Sequence, residues 1–90
     1  MSKTRNRGVR NQLVMIYGRR CMLCGKKMKK TKGSITYHHI KPLSEGGETT
    51  IKNGALLCPY CHANLHQQDQ ETQDLLNLAI IYYKETNNRW

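Results

Sequence analysis

The sequence predicts a small α+β domain held together by bound metal rather than by a large core. Three observations lead there: two Cys-x-x-Cys pairs, a β-branched and aromatic run between them, and segments of helical period at both ends. Ninety residues fit one domain. With 38% hydrophobic residues, no Phe and one Trp, its interior must be thin, and domains of this size commonly need a metal or disulfide staple. The expected organisation is a single domain over residues 1–90, with a flexible basic arm at 1–8, a zinc-clamped core at 21–66 and a C-terminal helix at 70–86.

Each element has its own signal. After the polar, basic start MSKTRNRG, residues Val9, Leu13, Ile16 and Tyr17 recur at the spacing of a short amphipathic helix, with Gly18 as its stop. Cys21-Met22-Leu23-Cys24-Gly25 is the first knuckle, where a Gly after the second Cys suits a tight, amide-lined turn. KKMKKTKG, residues 26–33, carries five lysines in eight positions and reads as a hairpin or loop facing solvent or phosphate. Ile35 to Ile40 reads as a strand, ended by Pro42 and Gly46-Gly47, which open a loop across 41–50. A second strand is expected around Ala55-Leu56-Leu57, running into the second knuckle, Cys58-Pro59-Tyr60-Cys61-His62. From Pro59 the pattern turns helical, with His62, Leu65 and His66 on one face. Beyond the polar QQDQETQD, the apolar run LLNLAIIYY at 75–83 predicts a helix packed back against the first, and KETNNRW reads as a frayed end.

Thiolates two residues apart can reach one ion together, and two such pairs close a tetrahedral zinc shell. Cys21, Cys24, Cys58 and Cys61, with 33 residues between the pairs, therefore predict a structural zinc with no position open to substrate. Disulfides are disfavoured because the start lacks the apolar segment of a secretory signal and no apolar run approaches the roughly 20 residues of a membrane span. A cytoplasmic location without membrane association is expected, where disulfides are rare. The charge is lopsided: residues 1–52 carry +11 and residues 53–90 carry −2. A basic half on a small domain is a footprint of nucleic-acid binding, although a solvated face would look the same.

The remaining chemistry lies in the histidines, all between residues 38 and 66. His62 and His66 are four apart and share a helix face. With His38 they can form a three-nitrogen site that keeps positions free for phosphate and water. Taken singly, His38 and His39 also fit polar strand-end residues, Asn53 in Lys-Asn-Gly a turn residue, and His66 an exposed helix residue.

Taken together, the run from Tyr37-His38-His39 through Lys52-Asn53-Gly54 to Cys61-His62 and His66 resembles the HNH endonuclease family, in particular the small four-cysteine proteins of bacteria and their phages. The resemblance implies a ββα-metal (His-Me finger) core with flanking helices. It assigns His39 as the general base, His38 as the first metal ligand, Asn53 as the residue bracing the loop between the strands, and His62 as the metal ligand ending the motif. His66 matches the additional ligand of the colicin-type DNases. Adjacent strand residues point to opposite faces, so His38 and His39 can serve one site only at a strand end or a distortion. Some relatives carry a carboxylate where this chain has Thr36.

The function so implied is metal-dependent hydrolysis of DNA, nicking one strand per site and leaving a 5′-phosphate and a 3′-hydroxyl, in a bacterial or phage-infected cell. Alongside the structural zinc it calls for a catalytic divalent ion, Mg2+, Mn2+, Ni2+ or Zn2+. Arg19, Arg20, Lys41 and Lys52 are the candidate phosphate contacts, and a protein partner or oligomer is expected to supply specificity. The alternative is a non-catalytic zinc-ribbon adaptor that binds nucleic acid, which has no use for the histidine set. A zinc deaminase is disfavoured because no His is followed two residues later by Glu.

Overall fold

A thin interior leaves few residues to organise the chain. A computed structural model describes residues 6–30 and 33–88, and among these eleven side chains form the buried apolar cluster: Leu13, Tyr17, Cys21, Met22, Met28, Ala55, Leu56, Leu57, Cys58, Leu65 and Ile80. The order is α1 (Asn6–Tyr17), β1 (Thr36–His39), a short 3-10 turn (Leu43–Glu45), β2 (Gly54–Leu57), α2 (Pro59–His66) and α3 (Gln70–Thr86).

The two strands pair antiparallel, with Thr36 opposite Leu57, Tyr37 opposite Leu56, His38 opposite Ala55 and His39 opposite Gly54. Gly-Ala-Leu-Leu in β2 is buried along its whole length, so both of its faces are covered. Helices α1 and α2 both pack on the sheet. The fold is the small α+β arrangement that the sequence predicts.

Several boundaries differ from the sequence reading, for physical reasons. Helix α1 begins at Asn6, inside the expected 1–8 arm, because a first turn can be helical without contributing to the apolar stripe; residues 1–5 lie outside the described part of the chain. The strand predicted over 35–40 contracts to Thr36–His39. The lysine-rich segment is not wholly a solvent loop: Arg20 and Lys27 form an antiparallel bridge, and Met28 turns inward to 3% exposure. Thr31 and Lys32 are not among the described residues.

Helix α3 packs mainly on α2 rather than lying along α1. The helix continues through Lys84-Glu85-Thr86, part of the expected frayed end, while Arg89 and Trp90 lie outside the described residues. Only one side of its apolar run faces inward: Ile80 is fully buried, whereas Leu75, Leu78 and Tyr82 are exposed. The inward side ends in Lys84, which is buried. Its Nζ donates to the carbonyls of Ile51 (2.7 Å), Lys52 (3.0 Å) and Gly54, and lies 5.8 Å from the centre of the Tyr17 ring. This one side chain ties the C-terminal helix to the turn entering β2 and to α1.

Burial pushes the Lys84 ammonium down to about 8 from the ordinary 10.5, against the carbonyls that favour its charged form. Between those two values the unfolded chain binds more protons than the folded one, so stability gains as pH rises through that window. Replacement Lys84→Met leaves the carbonyls without their donor, and denaturant titration should show a loss of about 3 kcal/mol. Melting profiles across the same pH window should also lose part of their upward slope in the variant; an unchanged slope would show that Lys84 does not titrate there.

Candidate active site

Two ligand clusters flank α2. In the first, the sulfur atoms of Cys21, Cys24, Cys58 and Cys61 all lie within 4.8 Å of one another. A tetrahedral shell with Zn–S of about 2.3 Å separates its sulfurs by roughly 3.8 Å, so the four thiols need only a small contraction to hold zinc. Each pair has the same local architecture. The amide of Cys24 donates to Cys21 Sγ (3.5 Å) and that of Cys61 to Cys58 Sγ (3.4 Å). Gly25, at φ +77°, returns its amide to the Cys21 carbonyl at 2.9 Å, a left-handed turn that a side chain would strain. Cys58 is also the N-cap of α2, with Pro59 in its first turn.

The thiols at Cys21 and Cys61 are driven in opposite directions. Burial acts to raise the Cys21 thiol, but N–H groups of Cys24, Cys58 and Leu23 and the Cys24 thiol outweigh it and bring it to about 7. Burial and the neighbouring thiols push Cys61 upward. A cation replacing the protons shared among the thiols removes that conflict.

The second cluster is His38, His62 and His66, again with one nitrogen of each within 4.8 Å of the others. The helical spacing of His62 and His66 brings their rings to 4.7 Å, and His38 reaches across from β1, 5.4 and 5.7 Å from them. His38 Nε2 meets Asn77 Oδ1 of α3 at 2.8 Å, and its Nδ1 is buried with no hydrogen-bond partner. A buried lone pair without a donor is costly in protein but is satisfied by a cation. The residues present thus fit a divalent ion.

Burial favours neutral rings at His38 and His62. Burial lowers His38, with charge from His66 and His39 adding to it and the Asn77 bond opposing. Burial, then His38, His66 and His39, bring His62 to about 4.

Next to this cluster, Tyr37 and His39 share the other face of β1, their rings 4.7 Å apart. Strand alternation therefore holds, yet His38 and His39 line the same cleft, of about 830 Å³, because His39 is the last residue of the strand. His39 Nε2 meets Thr49 Oγ1 at 2.9 Å, and burial lowers its pKa. Asn53 holds the intervening loop by its side chain: Oδ1 accepts from the Lys41 amide (2.8 Å), and Nδ2 donates to the carbonyls of Lys41 (3.1 Å) and Glu48 (2.8 Å). Its own carbonyl accepts from the Ile40 amide, one residue beyond His39, at 2.9 Å. At Gly47 a Cβ would collide with the Lys41 carbonyl, so the loop closes only around glycine there.

A family profile described as HNH endonuclease matches residues 21–68, more than half of the chain and both ligand clusters. The chain belongs to the HNH endonuclease family. This HNH chain is similar to Anaredoxin of a Nostoc species, 36% identical over 62 residues, covering 69% of this chain and 76% of that protein. It is also similar to the type IV methyl-directed restriction enzyme EcoKMcrA of Escherichia coli, 40% identical over 65 residues, covering 68% of this chain but 23% of the enzyme. The chain thus spans less than a quarter of that restriction enzyme's length.

The basic residues singled out in the sequence are distributed unevenly about the HNH site. Lys41 lines the histidine cleft itself, and Lys52 lines adjoining grooves together with Asn53. Arg19 and Arg20 line a separate groove with Lys27 and Tyr83, and Arg20 is anchored to the Gly25 carbonyl at 2.9 Å. Thr36, in place of the carboxylate of some relatives, spends its hydroxyl on the Leu57 carbonyl at 2.7 Å. Sequence reasoning missed Thr49, Asn77 and Lys84. Threonines in a loop carry no signal, but Asn77 had one: it is the single non-hydrophobic residue in LLNLAIIYY.

Structural zinc sites in small domains supply about 10–16 kcal/mol of apparent binding energy, more than this thin core can replace. Cys58→Ser, or chelation of the wild-type protein, should abolish the cooperative thermal transition seen by circular dichroism. A transition unchanged by both would remove the thiol cluster from the stability of the fold.

Proposed function

We propose that this HNH chain, acting as one domain, hydrolyses phosphodiester bonds of DNA with a divalent metal, nicking one strand per site. The observation that carries the reading is the convergence of His38, His62 and His66 around a buried, unpartnered imidazole nitrogen, with His39 in the same cleft. His38, His62 and His66 would hold Mg2+, Mn2+, Ni2+ or Zn2+, which supplies Lewis acidity toward a phosphate oxygen and the leaving 3′ oxygen when bound.

The chain's own residues do the rest. His39, kept neutral by burial, takes the proton of the attacking water on Nδ1 while Nε2 donates to Thr49 Oγ1. Thr49 thereby holds the orientation of the ring, and its hydroxyl oxygen accepts from the imidazolium that forms. Asn53 keeps the strand end and the loop in register, and so keeps His39 aimed into the cleft. Lys41 and Lys52 contact the phosphates nearest the cut, and Arg19 and Arg20 serve a more distant part of the duplex. The similarity to a restriction enzyme supports DNA as the substrate. A partner or oligomer supplies sequence specificity. A non-catalytic zinc-ribbon adaptor would leave the three-histidine cluster without a role.

Conversion of supercoiled plasmid to open circle, measured with each of the four metals, tests the proposal. Wild type should nick with at least one metal, and a folded His39→Ala variant should be slower by about 10²–10⁴-fold. No cleavage by a folded, zinc-loaded wild type that binds DNA would favour the adaptor. Cleavage should also fall steeply with added salt, and Lys41→Ala with Lys52→Ala should flatten that dependence; a salt slope unaltered by the pair would show that these lysines do not meet phosphate.

A further inference from the structure

Asn77 lies on the same side of α3 as the buried Ile80 and Lys84 and lines the cleft of the histidine cluster. A half-buried amide costs free energy unless its polar atoms are engaged. Its Oδ1 is engaged by His38 Nε2 at 2.8 Å. An amide oxygen only accepts, so the proton of the neutral ring sits on Nε2 and the lone pair sits on Nδ1. That Nδ1 is the buried atom with no partner, on the ring that meets both His62 and His66.

We propose that Asn77 is a positioning residue for the metal site, locking His38 in the tautomer and orientation that present Nδ1 to a divalent ion. The inference rests on the three-histidine metal reading above. It makes α3 part of the site, although the helix begins beyond residues 21–68, where the family profile ends. Metal-bound imidazoles are commonly held by an acceptor on the other nitrogen. A neutral amide does this without adding negative charge where an anionic phosphate must approach.

The test uses the zinc-loaded full chain as wild type, Asn77→Leu, Asn77→Asp and His62→Ala. Calorimetric titration with Ni2+ reads affinity at the histidine cluster, and 15N correlation spectra of the imidazoles before Ni2+ addition read the His38 tautomer. Wild type should bind Ni2+ and His62→Ala should not. Asn77→Leu should bind about 10–100-fold more weakly and lose the single Nε2–H tautomer while its melting temperature is maintained; Asn77→Asp should restore both. A wild-type His38 protonated on Nδ1, or Asn77→Leu with unchanged affinity and tautomer, would overturn the inference alone. Failure of wild type to bind Ni2+ at the histidines would overturn both the inference and the metal-site reading beneath it.

Discussion

Four thiols gathered within 4.8 Å are the constraint on which the rest of this structure depends. The pairs come from distant parts of the chain, one in the turn after α1 and one at the start of α2. Holding them together fixes where α1 sits relative to the hairpin, and it fixes the first turn of α2. Cys21 and Cys58 belong to the buried cluster, so the clamp and the core are one body rather than two. A domain whose interior is limited to eleven buried apolar side chains among the described residues cannot hold those elements by packing alone.

The geometry of the histidine cluster then follows from α2. Its first turn carries Cys61, and the same helix presents His62 and His66 one turn apart. The helix thus ties the position of the thiol cluster to the position of the histidines. The third nitrogen ligand comes from β1, whose register against β2 is set by four residue pairs. Across the hairpin, two polar devices add to the packing of Ile40 and Ile51 against the core. Asn53 closes it from the inside through Lys41 and Glu48, and Lys84 reaches over from α3 to the carbonyls of Ile51, Lys52 and Gly54. Both act at the residues entering β2, opposite the end of β1 that carries His39.

Charge and chemistry are spatially divided. The histidine cleft contains Lys41 but also Glu45 and Asp74, whereas Arg10, Arg19 and Lys30 line one groove and Arg19, Arg20 and Lys27 another. A polyanion held by the basic grooves would reach the cleft as an extension of that contact. Nucleic acid is attracted chiefly through such sequence-independent charge, while in the cleft burial lowers the pKa of His38, His39 and His62.

The sequence by itself determined the ligand inventory and the family. Spacing is local information: Cys-x-x-Cys, His62 with His66, and the order of His38-His39, Asn53 and His62 are visible without a fold. The same holds for the α+β class, because helical and strand periods are written in neighbouring residues. Only the tertiary structure decided which nitrogen of His38 is left without a partner, since that depends on Asn77, 39 residues away. It also decided that Met28 and Lys84 turn inward, where a lysine-rich run and a helix end both read as solvated. Burial of such residues is set by what packs over them, and long-range contacts leave no local period in the chain. The placement of Arg19 and Arg20 outside the cleft has the same cause: nearness along the chain to the first knuckle does not determine which side of a folded domain a side chain faces.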